Sequence, residues 1–464
     1  MTNLEKVCDV MKKLGFWSIV LFAINSIIGS GIFLSPAAVI KIAGKYTPIV
    51  YVAAALLAAV LAITFAAAAK YVTKSGAAYA YATAAFGKNI GFYIGITRFV
   101  AASIAWGVMA TAVVKTVITI FGGDNTEFWM ITLGLLLLML ILLIINMSGN
   151  KIFTIINNLS TIGKLLALVT TIVAGAIVVI MTGENRFNEI NSIVDTSNIN
   201  GSTLVMAVIA AFYAFTGFES VANASEDMKK PERNLPRAIP LAILVIGVVY
   251  IGIIVVTMMV NPGALIKTKE VVSLVAVFDS PIIYNIILYG ALVSMFGINV
   301  AASFGTPRIL EAIANENQVP HWFKQRTKQG FPFIAFLTTF IVAAVLPMAF
   351  QYDMTSIIIL SSISRFIQFL VVPIGVLMFY FGKERGHVLE NVHKNVVTDV
   401  ILPAISLLLT VLLLVMFDWK GQFSIKTDHG TMLNYYAITA MVIGYAILPA
   451  VLFWVNKKRE TEIN

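Results

Sequence analysis

Cysteine is nearly missing. Cys8 stands alone in 464 residues, which excludes an internal disulfide and a cysteine metal cluster. Charge is scarce as well: only 12% of residues are charged, where a soluble domain carries roughly 25%. The four histidines, His321, His387, His393 and His429, fall in expected loops, so an imidazole relay within the apolar segments is not expected. Also missing from those segments is any cluster of His, Asp or Glu of the kind metal or acid–base chemistry uses. This absence argues against an embedded enzyme, and neither a metal nor a cofactor is expected.

What is present is apolar surface. A hydrophobic fraction of 59% and a mean hydropathy of +0.91 exceed what a water-soluble fold can hide. Runs of about 18 or more apolar residues recur along the chain, each long enough to cross a hydrocarbon core of about 30 Å as a helix. Twelve spans are expected, at roughly 16–43, 47–69, 88–120, 128–147, 152–182, 203–225, 237–260, 283–315, 333–349, 355–381, 399–417 and 435–456. The runs are continuous, whereas a barrel strand would alternate apolar and polar residues, so the fold class is all-α integral membrane. The first run continues past Gly31 without an Ala-x-Ala site and is expected to stay as a helix rather than be removed as a signal peptide.

The basic residues set the orientation. With both termini cytoplasmic, twenty of the 32 lysines and arginines fall in inside segments, among them Lys70, Lys88, Lys151, Lys229, Lys230 and Arg233. Seven fall outside: Lys41, Lys45, Arg186, Lys267, Lys269, Lys420 and Lys426. Five lie within spans: Arg98, Lys115, Lys164, Arg308 and Arg365. An inside excess near three to one satisfies the positive-inside rule for a multi-pass protein of the cell membrane. The net charge of +9 therefore reports topology and contact with lipid headgroups, not a nucleic-acid partner.

Two spans are interrupted. In the first, Ile28-Gly29-Ser30-Gly31-Ile32-Phe33 lies about ten residues, or roughly 15 Å of helix, from Lys41, which puts it near the midplane. Glycines on both sides of a serine let the backbone leave helical geometry, and freed N–H and carbonyl groups are tolerated in hydrocarbon only where they pack in protein or line a polar site. A small-residue packing face would explain this motif alone equally well. The sixth span shifts the balance, because Tyr213-Ala214-Phe215-Thr216-Gly217-Phe218-Glu219-Ser220 places a glycine beside a carboxylate inside another apolar run. Breaks in spans one and six are expected of an inverted repeat in which spans one to five and six to ten are related by a pseudo-twofold axis. No residue-level similarity between the halves accompanies them. The helix N-terminus at Ser30 and Gly31 suits a carboxylate, and the freed carbonyls suit an ammonium group. An α-amino acid carries both.

These motifs resemble the amino acid–polyamine–organocation transporters. The resemblance spans about residues 14 to 456 and rests on Gly29-Ser30-Gly31-Ile32-Phe33, on Gly217-Phe218-Glu219, and on the loop from Glu226 to Arg237 with its acidic, basic and proline residues. It implies the leucine-transporter-type five-plus-five inverted repeat. The first repeat would be 16–182 and the second 203–381, with a terminal segment 1–15, two further helices in 399–456 and a cytoplasmic tail 457–464. It further implies that Ser30 and Gly31 hold the substrate carboxylate, that carbonyls of Ile27, Tyr213 and Thr216 accept its ammonium, and that Tyr213 gates the site. Ordinary helix packing is the competing role for Tyr213 and Phe215. Lys164 matches the position of a sodium ion in sodium-driven relatives, its ammonium bridging helix five to the broken first helix.

From its own position Lys164 needs an internal partner, being about 20 Å of helix beyond Lys151 and too deep to snorkel. Intramembrane ionisable groups are functional candidates, so Lys164 and Glu219 could exchange a proton as access switches; Glu219 serves equally as a bonded carboxyl stabilising the unwound segment. Arg98 and Arg365 could each anchor an acidic substrate, although a cytoplasmic-end position is the commoner origin of an arginine such as Arg98. Arg308 and Glu311 are spaced to pair on one helix face. The expected function is alternating-access transport of an amino acid, sodium-independent and proton-coupled, with obligatory exchange, including amino acid/amine antiport, as the alternative. Few acidic residues stand at pocket positions, which favours a neutral cargo. A channel fits two broken helices around a midplane site less well.

Overall fold

The computed structural model describes residues 14–72, 77–147, 150–194, 199–223, 228–268, 272–327, 330–386, 388–389, 392–427 and 430–463. Cys8, Lys6, Lys12, Lys13, Lys74, Glu226, Asp227, Lys269, Lys328, His387 and His429 lie outside the described residues.

Span four shows how an apolar chain divides its surface. Between Phe128 and Met147 the buried positions are Ile131, Leu135, Leu138, Met139 and Leu142, a single stripe at helical spacing. Trp129, Leu133, Leu137 and Leu140 are exposed on the opposite face. An exposed apolar face of that extent is a surface for lipid tails, so only the stripe toward the protein needs complementary packing. Among the described residues nine helices are long and apolar enough to cross a bilayer, and Phe16–Ile27, Gly201–Phe215 and Phe333–Ala349 are shorter apolar helices. Together they occupy the twelve expected segments of an all-helical membrane transporter fold.

Several boundaries differ from the sequence reading. Span seven starts at Pro231, six residues early, because proline at the first helical turn forfeits no intrahelical bond. A helix at Ala78–Phe86 fills the connection between spans two and three. Span ten is not continuous: Met354–Ile363 and Phe366–Tyr380 meet at Ser364 and Arg365. Spans eleven and twelve each contain a π turn, at Val397–Ile401 and Ile443–Ile447, and a two-stranded hairpin, Ser424–Thr427 with Gly430–Leu433, lies between them.

The packing order positions the interior. Phe16–Ile27, the first half of span one, lies on span seven, and Gly201–Phe212, the first half of span six, lies on span two. Span seven packs on span two, while span eight lies against spans three and five. Gly31–Ala43 packs on Gly201–Phe212 and is covered further by Pro262–Lys267 and Ser273–Val277. "Inner" below denotes the side bearing the basic excess. At that side the Lys229 N–H donates to the Leu14 carbonyl at 2.9 Å, holding the start of span one against the segment that opens span seven. Also near the inner ends, Asp399 is fully buried and accepts from Lys70 Nζ at 2.5 Å, Tyr71 Oη at 2.9 Å, Thr398 Oγ1 at 2.6 Å and the Asn395 N–H at 3.0 Å. This network fastens span eleven to span two.

Arg308 and Glu311 do not pair. Glu311 is buried and receives Arg326 Nε from the following loop at 2.5 Å. The Arg308 guanidinium instead folds back onto the Phe304 carbonyl and lies over the Phe304 ring, 3.4 Å from its centroid. A three-residue spacing makes two side chains neighbours, and the loop arginine outcompetes the helical one for a carboxylate that points inward.

Candidate functional site

In span one the helix ends at Ile27, the backbone turns at Ile28 (φ −69°, ψ 88°), and a new helix starts at Gly31 with Ser30 as its N-cap. The first N–H groups of that second helix have no partner within it. In span six the helix tightens into a 3-10 turn over Tyr213–Phe215, extends at Thr216 (φ −70°, ψ 154°) and restarts at Phe218. Gly217 sits between at φ 116°, in the left-handed region. A Cβ there would meet the Ser26 carbonyl oxygen at 2.5 Å, so the two breaks touch where only glycine fits. Gly31 makes the second close approach, with the Ala214 Cα 2.5 Å from where its Cβ would stand.

Lys164 crosses from span five into the first break. Its ammonium donates to the Ile28 carbonyl at 2.7 Å, the Asn25 carbonyl at 3.1 Å and Asn25 Oδ1 at 2.9 Å, which uses all three of its protons. The oxygens it binds include carbonyls that the break removes from helical bonding. On the facing segment, Glu219 Oε2 accepts from the Gly217 N–H at 3.0 Å, and its other oxygen pairs with Arg365 Nη1. Tyr213 Oη lies 3.4 Å from Ser30 Oγ, and the Tyr213 carbonyl accepts from Thr216 Oγ1 at 2.9 Å.

A cavity of about 550 Å³ joins these groups. Ile27, Ser30, Gly31, Lys164, Tyr213, Thr216 and Glu219, the positions expected to bind substrate or to couple, all line it. Phe215 does not; it is buried between the rings of Tyr51 and Tyr250. Beyond the breaks the wall continues on the middle and inner parts of spans three and eight, through Arg98, Met109, Gly305 and Ile309. On the other side of the breaks Gly31–Ala43 seats on span six. Ser35 Oγ and Tyr51 Oη, 2.6 Å apart, add a buried hydrogen bond there.

A profile of amino acid permeases matches the chain over residues 14–460. An uncharacterized transporter of Mycobacterium tuberculosis is 38% identical over 458 residues, covering 95% of this chain and 94% of its own length. This chain belongs to the amino acid permease family. More distant relatives include the serine/threonine exchanger SteT of Bacillus subtilis, 25% identical over 67% of this chain and 69% of its own. A cationic amino acid transporter of Arabidopsis thaliana is 24% identical over 80% and 62%.

The sequence left the roles of Arg98 and Arg365 open and did not single out Gln368, and all three line the permease's cavity. Arg98 is buried along the wall, not at the cytoplasmic end of its helix. Arg365 and Gln368 come from the interruption in span ten. There the Arg365 N–H bonds the Ser362 carbonyl at 3.2 Å, and the Ser361 carbonyl takes Arg365 Nε at 3.3 Å and Ser364 Oγ at 2.9 Å. The Ser364 carbonyl is taken by Tyr445 Oη of span twelve at 2.9 Å. Side chains thus replace the lost helical bonds, and no glycine or proline marks the place. A charged residue in mid-span was the available signal.

Proposed function

We propose that this permease carries α-amino acids by alternating access, without sodium, in the cell membrane and with both termini cytoplasmic. The observation that carries the reading is the shared cavity. It offers a helix N-terminus at Ser30 and Gly31 for a carboxylate and backbone carbonyls at Ile27, Tyr213 and Thr216 for an ammonium group, with Tyr213 as the gate on its outer side. Lys164 supplies the positive charge that a sodium ion would otherwise provide at the first break. The cavity extends inward from a closed outer side, which corresponds to an inward-facing state. Residues 16–182 and 203–381 are proposed as the two repeats. Exchanging one with six and two with seven converts the packing of span one on span seven into that of span six on span two, and both pairings are present.

Lys164 and Glu219 are the coupling groups in a proton-symport reading. Exchange is the second reading, favoured by the Arg365 pair in which Glu219 is already engaged. Uptake and counterflow of a panel of labelled amino acids into proteoliposomes test the proposal. Saturable uptake that persists when choline replaces sodium at constant pH supports it; a strict sodium requirement removes the role given to Lys164, and single-channel currents would make the protein a pore.

A further inference from the structure

The charges around the cavity do not balance for a neutral cargo. Its wall carries three cationic side chains, Arg98, Lys164 and Arg365, and one carboxylate, Glu219. Lys164 is satisfied by three oxygens of span one, and Arg365 is held by Glu219 and the Ser361 carbonyl. Arg98 is different. It is 6% exposed, and its Nη1 has no hydrogen-bond partner among the described residues. Its charged neighbours are Glu219, already engaged, and Arg365, of like sign. Gln368 faces the same cavity at 3% exposure, and its side-chain oxygen likewise has no partner. A flip of its amide exchanges oxygen for nitrogen, so the group can present a donor to the cavity.

A buried guanidinium without an anion is costly in an interior of low polarity, and an anion that arrives with the substrate removes that cost only when the substrate is bound. A zwitterion does not supply it, because its carboxylate is held at the break in span one and its ammonium by carbonyls. A second carboxylate would.

We infer that Arg98, assisted by Gln368, forms a side-chain subsite for a carboxylate, so that the cargo is a dicarboxylic amino acid. The inference rests on the proposed function for the main-chain groups and adds to it the class of side chain. Arginine matches a carboxylate with two parallel donors, and a charge-assisted pair discriminates against an uncharged amide of the same shape.

The test compares aspartate and glutamate with asparagine and glutamine, which differ only in that charge, as competitors and as labelled substrates of the reconstituted wild-type permease. The acids are expected to be favoured by at least about tenfold, the margin of one hydrogen bond to a charged group. Arg98→Gln should bring the acid-to-amide ratio near one, and Arg98→Lys, which keeps the charge without the fork, should retain part of it. Amides preferred by the wild type, or an acid preference that survives Arg98→Gln, would overturn the subsite while leaving amino acid transport in place. The wild-type ratio decides even if the variants do not fold. Failure of all four amino acids, with no other amino acid transported, would instead overturn the reading on which the subsite rests.

Discussion

Single atoms decide the site at Gly31. A Cβ at that position would stand 2.5 Å from the Ala214 Cα and 3.0 Å from the Tyr213 carbonyl oxygen, both backbone atoms that cannot rotate away. Gly31→Val should therefore abolish amino acid binding, measured by ligand-induced thermal stabilisation, while the protein still inserts into the membrane. A correctly inserted variant that binds normally would remove the carboxylate from this break. Residue identity also explains what the sequence made visible. Glycine flanking a serine, and glycine before a carboxylate, are punctuation that an apolar run cannot hide, so Ser30, Gly31 and Glu219, which line the cavity, stood out in the sequence. Arg98 was also visible as a mid-span charge, but the lack of a partner for its Nη1 among the described residues depends on the placement of Glu219 and Arg365, which only the packed structure supplies. The expectation of a neutral cargo counted acidic residues near the pocket; that count disfavours a cationic side chain and is silent on an anionic one.

Whole elements were legible where hydrophobicity alone defined them. The reading of 88–120, 128–147 and 333–349 agrees with Lys88–Ile120, Phe128–Met147 and Phe333–Ala349. Span ten was read as unbroken because its interruption uses Ser364 and Arg365, residues of ordinary backbone freedom, and is stabilised by Tyr445, 81 positions away in the chain. Long-range compensation of that kind leaves no local mark. The junction of spans two and eleven is a further case, since Lys70 and Asp399 are 329 positions apart. Removing one partner of a buried ion pair strands the other, at a cost of about 3–5 kcal/mol. Asp399→Ala should lower the apparent Tm in detergent markedly, and Lys70→Ala should act in the same direction. An unchanged Tm in both would show that span eleven is held by its apolar contacts alone.

At the scale of the whole molecule, proton symport would require that a gradient be converted into a change of access. If Lys164 or Glu219 changes protonation during transport, an inward proton gradient should drive accumulation, with each 1.4 kcal/mol of driving force per substrate giving about tenfold. Lys164→Ala should abolish the response, because it also empties the bridge from span five to Asn25 and Ile28. Glu219→Gln keeps the Gly217 hydrogen bond but cannot ionise, so a retained response would assign titration to Lys164. Wild-type transport that ignores the gradient and depends strictly on internal amino acid would establish exchange.

The backbone bond between Leu14 and Lys229 bears on how such a change is geared. It joins two stretches of chain far apart in sequence at the point where span one begins, and Phe16–Ile27 rests along span seven directly beyond it. A half-helix fixed at its base and supported along its length does not swing as a free flap. Under the proposed alternating access it would move together with span seven, with the break at Ile28 to Ser30 as the joint, so that the inner side would be closed through a helix that contributes no side chain to the cavity wall.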